Sequence, residues 1–115
     1  MATNSVERQQ NATDLPDDVV ADLLAEPRRR LLIAVLAEHD GSVTLEAAAG
    51  IVAARERGVA PEAVDETARR TVRDELFREH LPKLTATATV EYDSMCGTVE
   101  LRRPELAEQL DSQSA

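Results

Sequence analysis

Arg69, Arg70, Arg73 and Arg78, followed by His80 and Lys83, crowd six basic side chains into fifteen residues of a 115-residue chain. Arginine carries a planar fork of donors that fits phosphate oxygens and the guanine edge, so this cluster, with Arg102 and Arg103 further on, would suit double-stranded DNA. The same residues also fit a second reading. Glu66 with Arg70, Arg70 with Asp74 and Asp74 with Arg78 stand four apart, the spacing of ion pairs on a solvated helix face. Both readings are open at this level.

Other chemistries find little in the chain. There is no phosphate loop and no nucleophile elbow, and His39 and His80 lie far apart. His80 reads better as a helix cap or a packed side chain than as a ligand. The single cysteine, Cys96, can form no internal disulfide and has no CxxC partner. An enzyme, a bound metal and a cofactor are therefore not expected. An exposed Cys96 would at most permit oxidation-driven dimers.

Charge argues against simple attraction to nucleic acid, with 22 acidic residues against 13 basic and a net charge of −9. Lys83 is the sole lysine, so arginine supplies the remaining positive charge. Acid-rich, lysine-poor composition resembles proteins of salt-accumulating archaea, whose surfaces must stay hydrated in concentrated salt. No run of about 18 apolar residues occurs, and the N-terminus lacks a secretory pattern, so a cytoplasmic protein without a membrane span is expected.

The elements that must position these residues follow from periodicity. Residues 1–13 and 111–115 are polar and read as disordered tails around one domain, 14–110. Asp14 can cap a first helix bearing Val19, Val20, Leu23 and Leu24. Pro27 opens a second, with Leu31, Leu32, Val35 and Leu36, closed by Gly41. Val43 allows a short extended link. Thr44 can cap a third helix with Leu45, Ala48, Ala49 and Val52 inward, Gly50 permitting close packing and Gly58 ending it. Pro61 would start the longest helix, 61–84, on Val64, Ala68, Val72, Leu76, Phe77, Leu81 and Leu84, with a kink at Pro82. After Ala88 the period becomes two. Val90 and Tyr92 match Val99 and Leu101 across the turn SMCG, giving strands 89–93 and 98–101, and ELAEQL can add a short final helix.

Helix, helix, helix, long helix, hairpin is the order of a winged helix-turn-helix, a mainly α fold with a C-terminal β-hairpin. PRRRLLIAVL, VTLEAAAGIVAARE, the HLPKL box and VEYDSMCGTVEL together resemble a family of small, uncharacterised haloarchaeal winged-helix domains. The resemblance implies that fold and a role in transcription regulation. One departure is Ala88, where the turn before the wing usually carries glycine.

The leading expectation is a dimeric DNA-binding regulator adapted to high salt, and the alternative is a winged helix turned to protein interaction without direct DNA binding. The hairpin favours the second, because Glu91, Asp93 and Glu100 share its outward face where many wings carry cations. Arg28, Arg29 and Arg30 oppose the dipole of the second helix and need compensation, from Asp22 and Glu26 or from a bound phosphate. The thin, alanine-rich core makes a homodimer attractive, with Val19, Val20, Leu23 and Leu24 as its surface.

Overall fold

The computed structural model describes residues 15–114, with side chains through Leu110. The expected tail 1–13, the Asp14 cap and residue 115 lie outside the described residues. The elements are α1 (Asp17–Leu23), α2 (Pro27–Ala37), β1 (Val43–Thr44), α3 (Leu45–Arg57), a 3-10 turn (Pro61–Ala63), α4 (Glu66–Glu75), a π-turn (Leu76–His80), α5 (Leu81–Ala86), β2 (Val90–Asp93), β3 (Thr98–Leu101) and α6 (Glu105–Ser114). Mainly helical, with a small antiparallel sheet near its C-terminus, the chain has a winged-helix-like arrangement.

Local chemistry sets most boundaries. The Thr44 hydroxyl accepts the Ala47 N–H at 3.0 Å and starts α3, and Gly58, at φ +69°, ends it in the left-handed region. The fourth helix begins later than Pro61 suggests. That proline opens a separate 3-10 turn, Val64 is extended, and the Asp65 carboxylate caps α4 by accepting the Ala68 N–H at 2.8 Å. Pro82 acts before its own position. In a regular helix its ring would strike the carbonyl four residues back, and instead the preceding turn widens, with the Leu81 N–H reaching Leu76 O. The expected kink is therefore a five-residue π-turn, after which α5 runs on to Ala86.

The helix then closes through Ala88, which sits at φ +57° while the Thr89 N–H bonds Leu84 O at 2.8 Å. Alanine here adopts the left-handed conformation that the glycine expected at this turn would take without strain. Beyond it β2 pairs with β3 in the register expected from alternation, Val90 opposite Leu101 and Tyr92 opposite Val99. The link at Val43 is more than a link, because β1 pairs with β3 and makes a three-stranded sheet ordered β1-β3-β2.

The core joins every layer. Leu32, Ile33, Val35 and Leu36 of α2 meet Ala48, Ala49 and Val52 of α3, Leu76 and Leu84 around the π-turn, Val99 of the sheet and Leu106 of α6. Each fully buried Leu, Ile or Val contributes ~1.5–3 kcal/mol relative to exposure. The final helix, expected over 105–110, extends to Ser114, into the segment read as a tail. No helix among the described residues is long and apolar enough to cross a membrane.

Candidate recognition face

α3 and α4 form the helix-turn-helix, packed closely enough that a Cβ on Gly50 would stand 3.3 Å from the Arg69 side chain. The outward side of α4 and of the π-turn that follows carries the arginine cluster, and its ion pairing differs from what spacing alone suggests. Arg70 meets Glu66 at 3.3 Å, as i,i+4 spacing requires. Asp74 instead holds its chain neighbour Arg73 at 3.0 Å.

A counter-charge shared by two of the arginines comes from another helix. Glu46, in the first turn of α3, lies 3.0 Å from Arg73 and 3.5 Å from Arg69, and Arg69 also touches Glu66 at 3.5 Å. Hydrogen bonding from Asp74 is the first cause that raises the Arg73 guanidinium above its ordinary pKa, with Glu46 adding to it. Glu46 carried no signal in the sequence, since 27 residues separate it from Arg73. Among the described residues Arg78 is exposed and has no ion pair, so of the four arginines it alone presents an uncompensated charge.

The remaining expected contacts are dispersed. His80 is buried beside Arg29, with its Nδ1 3.2 Å from Arg29 Nη1, and cannot reach a ligand outside. Lys83 donates to Asp22 at 2.8 Å, which holds that carboxyl below its usual range. Arg102 lies 3.5 Å from Glu91 and 3.6 Å from Glu100. Arg103 donates to Thr87 O at 3.0 Å and approaches Glu105.

The arginine box Arg28–Arg30 also differs from the expected picture. Arg29, 3% exposed, donates to Leu23 O at 2.8 Å and to Asp22 O at 2.6 Å, while Arg30 donates to Leu24 O and Ala25 O. The direct partners of Arg29 and Arg30 are thus the carbonyls of the last two α1 residues and of the two that follow, to which the expected Asp22 carboxylate adds a coulombic contribution at Arg29. Arg28 pairs with Glu56 and Glu75, Glu56 being the first cause that raises its pKa.

Val20, Leu23 and Leu24 are buried in the protomer's own core and Val19 packs against them half-buried, so α1 does not offer those side chains as a dimer surface. Among the described residues no group of His, Cys, Asp or Glu is arranged to hold a metal. Cys96 is exposed at the wing tip.

Phe77, expected with Leu76 and Leu81 on the apolar stripe of the long helix, departs from that stripe and makes a feature that sequence reasoning did not find. Phe77, half exposed, stands edge-on to Tyr92 with ring centroids 5.8 Å apart, and together with Leu45, Cys96 and Gly97 they line a cleft of about 370 Å³ between the π-turn and the wing. Glu46, Arg73 and Asp74 form its charged rim.

No curated protein and no solved structure matches the chain. A family model described as Domain of unknown function (DUF7344) matches residues 21–100, well over half of the chain and the span from α1 to the wing, so the protein belongs to that family.

Proposed function

We propose that this domain is a winged-helix protein-interaction module whose helix-turn-helix face does not grip nucleic acid. One observation carries the reading: Arg69, Arg70 and Arg73 on α4 all terminate on carboxylates, with Glu46 serving two of them from the neighbouring helix. DNA affinity grows from uncompensated positive charge that releases counterions. On this face the fold supplies little of it, and the wing adds Glu91, Asp93 and Glu100 beside it. The net charge of −9 and single lysine support a protein that stays dispersed in concentrated salt, where phosphate attraction is weakened further.

DNA binding is retained as the second reading because of two side chains. Arg70, 57% exposed on α4, and Arg78, exposed on the π-turn that follows, lie on the element that a winged helix offers to the major groove. A regulator of transcription would use them for base contacts rather than for bulk attraction.

Fluorescence anisotropy of labelled double-stranded DNA, titrated with the full chain over a salt series, separates the two. The interaction module gives no saturating signal. Saturation with a salt-dependent midpoint, lost in the double variant Arg70→Glu and Arg78→Glu, would replace it with the DNA-binding reading.

A further inference from the structure

We infer that the cleft between the π-turn and the wing is a docking site for a protein segment carrying an apolar anchor flanked by arginine or lysine, a deeper form of the interaction reading above and dependent on it. Two adjoining concavities share Tyr92. The first is the cleft already described, floored by Leu45, Phe77, Tyr92 and Cys96. The second, about 430 Å³, runs along the outer face of the wing past Glu91, Asp93 and Glu100. The two lie on opposite faces of the wing and meet at Tyr92 on the β2 edge of the sheet, so a segment anchored in the apolar cleft reaches the three carboxylates by crossing that edge.

The aromatic pair is the anchor pocket. Phe77 is 49% exposed although its neighbour Leu76 in the π-turn and Leu81 at the start of α5 are both buried. The π-turn sets this geometry, since it ends in the Leu81–Leu76 bond and includes Phe77. The other wall is fixed as well: Gly97 O accepts the Leu45 N–H at 2.8 Å and Gly97 N–H donates to Asp93 O at 2.7 Å, tying the wing tip to α3. A pocket held from both sides needs little ordering when an occupant arrives, which favours affinity. At the tip Met95, 92% exposed, extends the apolar contact with a flexible side chain suited to varied partners.

The charge of the occupant follows from the wing. Glu91 and Glu100 stand directly opposite each other in the β2–β3 ladder, and like charges so placed cost stability. Arg102 reaches both, yet only at 3.5 and 3.6 Å and while half exposed, and Asp93 has no cation near it among the described residues. Cations brought by a partner would relieve this repulsion. A second copy of the chain, itself at −9, would aggravate it.

The test is selection of a randomised peptide-display library on the immobilised full chain at multimolar KCl, followed by anisotropy titration of an enriched peptide. We expect enriched sequences to combine a Leu, Met or aromatic residue with flanking Arg or Lys. Phe77→Asp, at an exposed position, should weaken that peptide by about thirtyfold or more, as loss of an interface anchor does, while melting shows the fold retained. Glu91→Lys with Asp93→Lys should lose the basic flanks from the selected set. Enriched peptides that bind Phe77→Asp equally well would overturn this site and leave the interaction reading standing. No enrichment, together with DNA retention by the same protein, would overturn both. If sedimentation shows a dimer that Phe77→Asp splits, the occupant is a second copy and the basic partner is wrong.

Discussion

The guanidinium of Arg29 donates to the imidazole of His80 inside the core, Nη1 to Nδ1 at 3.2 Å, and this contact joins the start of α2 to the π-turn before Pro82. Arginine has no acceptor and stays charged, so Nδ1 must be the accepting nitrogen and His80 is held neutral with its proton on Nε2. Burial is the first cause that lowers the His80 pKa from its ordinary 6.5, and the Arg29 charge the second, with Glu26 and Glu79 opposing and Arg28 assisting.

A pH dependence follows. The unfolded chain takes up a proton on His80 near its ordinary value while the folded chain resists, so the folded state loses stability as pH falls below about 6.5. Above that pH the contribution is complete. Urea midpoints measured between pH 7.5 and 5 should decline in the wild type and stay flatter in His80→Gln. Asp22 and Glu38, whose pKa values are lowered by Lys83 and Arg55, act only below the ordinary carboxylate range and leave this window clear.

Arg29 itself is a structural requirement. Removing it takes the side-chain donor from Leu23 O and one of two donors from Asp22 O, which also accepts the Ala25 N–H, and opens a cavity, so Arg29→Ala should cost about 2–4 kcal/mol in denaturant unfolding. Arg29→Lys should recover little of that, because one ammonium cannot reproduce three divergent contacts.

Ala88 offers a gain. An L-residue in the left-handed region costs ~1–2 kcal/mol, part of which glycine gives back through the freedom of its unfolded chain. Ala88→Gly should therefore stabilise the protein by about 0.5–1 kcal/mol, read as a higher melting temperature with an unchanged circular dichroism spectrum.

Much of the frame was legible because it depends on neighbours in sequence. The alternation around residues 90–101 gives the wing register, Thr44 and Gly58 bracket α3, and Glu66–Arg70 is a local pair. What was not legible depends on the packed fold. Arg29 finds backbone carbonyls, which no side-chain pattern announces, and Glu46 reaches α4 only because Gly50 lets α3 and α4 approach. His80, which reads better as a cap or packed side chain though also as a candidate DNA contact, is indeed packed inside, but its Arg29 partner 51 residues away could not be read from the sequence. The Phe77–Tyr92 cleft joins residues from a helix and a strand whose closeness only the folded wing defines.

The pairing of the α4 arginines with carboxylates is the central claim, and charge removal tests it directly. Labelled double-stranded DNA should be titrated at one fixed salt concentration with the wild type and with the triple variant Glu46→Gln, Glu66→Gln, Asp74→Asn, whose changes are confined to exposed side chains. The account predicts no saturable binding by the wild type and measurable binding by the variant, because three arginines lose their counter-charge. Wild-type binding as tight as that of the variant, or no gain from the substitutions, would contradict it.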